Sequence, residues 1–210
     1  MKQCRLFGGI MALSLAFGMA EAAAPKAESV SALGKGVDEV VLTSDAGVQV
    51  RWHELKGKPR AVFFGFTHCP VICPVTVYEI DAALAKIGKP ADNVQVIFVS
   101  LDPARDTPAV LKNYFSGFNG RVRALTGTAQ STARIAKAFE VEYDRVPLTG
   151  KDYTLDHTAA VFLVDEAGAV TDTVAYGAGP DVMAARLRLL LKLPAAAPVA
   201  NGPQQAPEKP

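Results

Sequence analysis

The apolar positions of this chain fall into short blocks divided by turn-forming residues, and the spacing within the blocks switches between two periods. Residues 40–43 and 48–52 flank Ser44-Asp45-Ala46-Gly47, which predicts a β-hairpin. The run RAVFFGF at 60–66, preceded by Pro59, predicts a strand buried on both faces. Residues 75–87 change to helical spacing, with Val77, Ile80, Leu84 and Ile87 on one side. A second buried strand is expected over 94–100. Thr107-Pro108 then supplies an N-cap and a first-turn proline for a helix reaching about Phe115. A short strand at 122–125 precedes a helix at 128–139, with Ile135 and Phe139 on one face. Residues 141–146 read as a weak strand leading into a polar loop over 147–157. A second hairpin is expected from 159–164 and 169–175 around Asp165-Glu166-Ala167-Gly168, and an amphipathic helix over 181–192.

Strands alternating with helices call for a mixed central sheet flanked by helices, the α/β class. The closing hairpin and helix suggest a thioredoxin-like fold over residues 37–193, with the first hairpin as an N-terminal addition. In that arrangement chemistry sits where the first buried strand meets its helix.

Half of the 210 residues are apolar and 20% are charged, a globular composition with material for a core. The net charge is +1, and no Lys/Arg cluster is dense enough to neutralise a row of phosphates, which argues against nucleic acid as a partner. The N-terminus differs from the rest. Lys2 and Arg5 precede an apolar run at 6–19, and Ala20-Glu21-Ala22-Ala23-Ala24 follows. Residues 1–22 therefore read as an export signal or, uncleaved, as a membrane anchor and tether, with a linker at 23–36. Either way the folded part is expected outside the cytoplasm, in the periplasm or on the outer face of the inner membrane. Residues 194–210, rich in Pro and Ala, read as a disordered tail.

Export changes how the cysteines are read. Cys4 lies ahead of the apolar run and is expected to leave with the signal, so Cys69 and Cys73 remain. A disulfide between them would close too small a loop to remove much unfolded-state entropy, which favours chemistry over stapling. The segment Cys69-Pro70-Val71-Ile72-Cys73 lies between a buried strand and a helix, and i, i+4 spacing sets both sulfurs on one helix face. A helix N-terminus also favours thiolate, the form that binds metal or attacks disulfides. A soft cation would still need a third ligand. His53 reads as a half-exposed strand residue, and His68 as a neighbour whose side chain diverges from Cys69. His157 immediately precedes the strand expected beside the cysteine-bearing one; spacing alone leaves its role open. Asp156 is a loop residue or an orienting neighbour. In Asp102-Pro103-Ala104-Arg105-Asp106-Thr107-Pro108, Asp102 suits a strand-end turn and Arg105 a loop-locking ion pair. Phe63, Phe64 and Phe66 are expected in the core.

The stretches FGFTHCPVICPVT, SLDPARDTP and LDHTAAVFLVD, in that order, resemble the Sco/SenC family of copper chaperones for cytochrome c oxidase assembly. The resemblance implies a thioredoxin fold in which Cys69, Cys73 and His157 bind one copper ion, as Cu(I), Cu(II) or both. It implies delivery to the dinuclear copper centre of cytochrome c oxidase, with the oxidase's copper-receiving subunit as partner. A thiol reductant and another copper donor are further expected partners. Two thiolates and one imidazole suit copper, whereas structural zinc normally takes four protein ligands. The family commonly carries an acidic residue after the first Cys-Pro; here that position is Val71. The alternative is a thiol–disulfide oxidoreductase with Cys69 and Cys73 as its redox pair, although redox thioredoxins place two residues between their cysteines.

Overall fold

The computed structural model describes residues 30, 32–118, 120–150 and 152–194. The proposed signal or anchor, most of the linker and nearly all of the proposed tail lie outside the described residues. Among those described, no helix is long and apolar enough to cross a membrane.

Among the described residues nine strands and four complete α-helices follow in chain order: β1 Val41–Ser44, β2 Gln49–Arg51, β3 Arg60–Gly65, α1 Ile72–Ile87, β4 Gln95–Ser100, α2 Pro108–Phe115, β5 Val122–Thr126, α3 Ala129–Ala138, β6 Tyr143–Pro147, β7 Tyr153–His157, β8 Ala160–Val164, β9 Val170–Ala175 and α4 Pro180–Leu190. Seven strands form one mixed sheet in the order β2-β1-β5-β4-β3-β8-β9. β3, β4 and β5 are parallel, and β8 runs antiparallel beside β3, with Phe63 opposite Val161. The N-terminal hairpin extends this sheet, β1 pairing antiparallel with β5.

β3 lies between β4 and β8 and is buried at all six positions, so alternate side chains feed two cores. On one face Phe63 meets Phe98 (centroids 5.3 Å apart), and Phe98 meets Phe115 of α2 at 4.8 Å. On the other, Phe64 packs against Phe139 at the end of α3 and against Phe162 of β8, and Trp52 closes on Phe139 at 5.6 Å. The expected Thr107 cap forms, accepting from the Val110 amide, and Thr128 likewise accepts from the Ser131 amide. α1 packs against α4, joined at the rim by a Lys86–Asp181 ion pair.

Two of the expected β elements depart from the sequence reading. The expected polar loop at 147–157 is largely strand: β7 pairs with β6 as a separate two-stranded sheet, Tyr143 opposite His157. Polar residues carry little strand signal, and the ladder between two such strands appears only once they are brought side by side. The second strand of the first hairpin also stops at Arg51. Trp52–Leu55 turns into a 3-10 helix because Trp52 and Leu55 are buried on the core side, so His53 sits in that turn and not on a strand.

Candidate metal centre

The chain leaves β3 at Gly65 and turns at once, the Cys69 amide donating to the Phe66 carbonyl (3.1 Å). α1 begins only at Ile72, with Val71 in the capping position. Cys69 therefore lies before the helix and Cys73 in its first turn. The sulfurs converge because the turn folds back onto the helix mouth, which corrects the expectation that both sit on one helix face. Cys69 is 6% exposed and Cys73 1%.

Gly65 makes this convergence possible. A Cβ built at Gly65 would stand 2.3 Å from Cys73 Sγ and 3.2 Å from Phe98 Cε2. A glycine inside an apolar strand is the sequence signal for such a close approach, and the sequence reading passed over it. Gly65→Ala is expected to cost about 1–3 kcal/mol by overpacking. Thermal unfolding should show a midpoint lowered by roughly 2–4 °C per kcal/mol for a domain of this size; an unchanged midpoint would contradict the contact.

His157 closes the site from the end of β7. Its Nδ1 lies 3.0 Å from the Thr158 carbonyl. A carbonyl only accepts, so Nδ1 carries the proton and the Nε2 lone pair faces the other way. Nε2 is buried and has no hydrogen-bond partner among the described residues, yet ligand atoms of Cys69, Cys73 and His157 all lie within 4.8 Å of one another. Phe66 packs edge-on against the imidazole at 5.9 Å between centroids. An orphaned lone pair aimed at two sulfurs is what an absent soft cation would leave behind. His53 and His68 stay outside this group: His53 Nδ1 meets the Asp38 carbonyl, and the exposed His68 meets Thr67 Oγ1.

The cluster's electrostatics are asymmetric. The Cys73 thiol, donating to Cys69, holds the Cys69 sulfur down to about 3, against the opposing effect of burial and with further help from His157 and nearby backbone amides. Cys73 is pushed well above the ordinary thiol range by that same hydrogen bond, by burial and by the charge on Cys69. For His157, burial opposes the imidazolium, but the Cys69 thiolate, the Thr158 carbonyl and Asp156 outweigh it and raise the ring above 6.5. A lowered thiol pKa keeps the thiolate populated as pH falls. The reduced, metal-free protein should therefore keep one thiolate absorbance band from neutral pH down through the ordinary histidine range. That band should vanish in Cys69→Ser, and a band titrating like a free cysteine would refute the asymmetry.

The 102–108 segment grips both ligand-bearing segments. Asp106, fully buried, accepts from Thr67 Oγ1 and Ser100 Oγ at 2.6 Å each and from the Thr67 amide at 3.1 Å. It thus pins the turn leading to Cys69. Asp102 accepts from Arg105 Nε and from the Tyr153 hydroxyl. Arg105 in turn donates to the Tyr153 carbonyl and Asp152, and its guanidinium lies 3.7 Å over the Tyr153 ring. These contacts hold the β6–β7 hairpin, and with it His157, against the sheet. The loop-locking role read for Arg105 is present, and Asp106 adds the pin on the turn before Cys69.

Residues 35–192 match the family described as SCO1/SenC. The chain belongs to this family. Among its curated SCO relatives, Protein SCO2, mitochondrial, of Saccharomyces cerevisiae is 35% identical over 136 residues, covering 63% of this chain and 45% of the relative. The SCO2-like protein of Rickettsia felis is 37% identical over 117 residues, 55% of this chain and 57% of the relative. The chain thus spans about half the length of the curated relatives it matches. Among solved structures, Bradyrhizobium japonicum ScoI with copper bound is 40% identical at a TM-score of 0.66, covering 72% of this chain and 96% of that one. Yeast Sco1 with copper bound is 29% identical at a TM-score of 0.67, covering 76% and 89%. These neighbours bear out the α/β, thioredoxin-like SCO fold read from the sequence.

Proposed function

We propose that this SCO1/SenC protein binds one copper ion through Cys69 Sγ, Cys73 Sγ and His157 Nε2 and passes it to the copper-receiving subunit of cytochrome c oxidase. The observation that carries this reading is the buried, unpartnered Nε2 grouped with two sulfurs. Copper here is cargo. Two thiolates and one imidazole satisfy Cu(I), and the imidazole also allows Cu(II). Leaving the ion three-coordinate keeps a position for an incoming thiolate of the acceptor, so transfer proceeds by ligand exchange. The site lies at one edge of the fold, between an exposed Val71 and the β6–β7 hairpin, where an acceptor can approach. Loading requires reduced cysteines, hence a thiol reductant, and another protein that donates copper. An exported location, in the periplasm or tethered at the outer face of the inner membrane, fits residues 1–22 as signal or anchor.

Titration of the reduced protein with Cu(I) against a competing chelator tests the reading. One equivalent per chain is expected, and no stoichiometric binding would sink it.

The asymmetry of the cysteine pair favours a second reading, thiol–disulfide exchange. Cys69 as thiolate would attack a partner disulfide and release one partner thiolate; Cys73 would then lose its proton and attack the mixed disulfide. The partner leaves with two thiols, the Cys69–Cys73 disulfide takes their place, and the thiol reductant returns both electrons. Reduction of a disulfide substrate by the copper-free protein, retained in His157→Ala, would support it.

A further inference from the structure

A second cleft lies at the C-terminal ends of β4 and β5, built from residues other than the proposed copper ligands. α2 leaves β4 for the face where Phe115 meets Phe98, and α3 leaves β5 for the opposite face, where Phe139 meets Phe64. Adjacent parallel strands whose helices diverge to opposite faces leave a crevice between their loops, the usual ligand position in open α/β sheets. Here the crevice has a volume of about 490 Å³, within the range of about 300–1,000 Å³ common for small-molecule sites. Leu101, Pro103 and Leu155 supply apolar walls, Tyr143 and Arg145 of β6 one polar side, and the first turn of α3 the other.

Three features of this crevice lack partners. Thr132, in the opening turns of α3, is 1% exposed and lines the crevice, yet its hydroxyl bonds to nothing among the described residues. A buried hydroxyl left unpaired is costly, so such groups normally have a protein, water or ligand partner. Thr128 caps the Ser131 amide, but no bond to the Ala129 or Gln130 amide is found among the described residues. These amides and the helix dipole make an anion-favouring end. Arg145 forms no ion pair among the described residues, and its guanidinium is held 4.4 Å over the Tyr153 ring. Asp144 at the rim adds a negative charge that disfavours a dianion.

We propose that this crevice binds a small organic monoanion, a carboxylate on an apolar body. The carboxylate would sit between the α3 amides, the Thr132 hydroxyl and Arg145, with the body against Leu101 and Leu155. The occupant would touch the hairpin that carries His157, since Tyr143 pairs with that residue. The inference is independent of copper binding and stands if that fails.

The test is an amide NMR titration of the copper-free protein with sodium benzoate, sodium phosphate and, at matched ionic strength, sodium chloride. Benzoate is expected to give saturable shifts confined to 101–104, 127–132, 143–145 and the neighbourhood of Leu155. Thr132→Val and Arg145→Gln should each raise the Kd about tenfold, the loss of one hydrogen bond to a charged group. Thr132→Val alone should leave the thermal midpoint equal or higher, because it removes an unpaired hydroxyl. Should that variant fail to fold, the exposed Arg145→Gln carries the test. Linear shifts matching those of chloride would mean that water serves Thr132 and would overturn the proposal. Tighter saturable binding of phosphate than of benzoate would overturn the carboxylate assignment.

Discussion

Replacing His157 with alanine is expected to weaken Cu(II) binding by a hundredfold to several thousandfold while Cu(I) stays on the two sulfurs. The magnitude follows from the scale of protein metal sites, about 10–16 kcal/mol by analogy with structural zinc. One ligand of three accounts for about 3–5 kcal/mol of that, at about 1.4 kcal/mol per tenfold. The two oxidation states separate because Cu(I) is soft and content with two thiolates, whereas Cu(II) relies on nitrogen. Competition titrations measure both affinities, and the thiolate-to-Cu(II) charge-transfer band should shift or disappear. Equal loss for both ions, or no loss for either, would remove Nε2 from the ligand set. The fold should survive, since the imidazole's hydrogen bond is one contact to the Thr158 carbonyl.

Asp106→Ala should damage the same site without touching a proposed ligand. Three donors lose their acceptor: the Thr67 amide, the Thr67 hydroxyl and the Ser100 hydroxyl. At about 1 kcal/mol each the loss is about 3 kcal/mol of stability. Burial raises the Asp106 carboxyl above the usual carboxylate range, opposed by its bonds from Ser100 and Thr67, so relief of that buried charge offsets part of the loss. Copper affinity should fall by about 10- to 100-fold, the usual cost of removing a group that orients a ligand, because the turn carrying Cys69 is no longer pinned through Thr67. Asp106→Asn keeps one acceptor oxygen and should recover part of both. Denaturant melts and copper competition on the pair of variants measure the effects. Wild-type stability in Asp106→Ala would show that the turn holds itself.

Much of the fold was legible along the chain because it is encoded locally. The apolar run at 60–66, the Thr107-Pro108 cap and the hairpin turns each depend on residues within one or two turns of each other, and all appear in the structure. β7 was not legible. Only Leu155 of its five residues is buried, and the ladder that defines it is formed with β6 across the connection at 148–152. The start of α1 was misjudged for a related reason: the turn before it is held at Thr67 by Asp106, thirty-nine residues further along the chain.

The candidate site divides along the same line. Cys69 and Cys73 as a chemical pair followed from spacing, position and the expected compartment, all properties of one short segment. That Gly65 must be glycine, that the two thiols share their protons unequally, and that His157 presents Nε2 to them were decided by tertiary structure alone. The first depends on α1 bringing Cys73 against β3, and the last on the Asp102–Arg105–Tyr153 contacts that seat the hairpin. Sequence spacing sets which residues share an element; only packing between elements sets distances of a few ångströms, and metal coordination is decided at that scale.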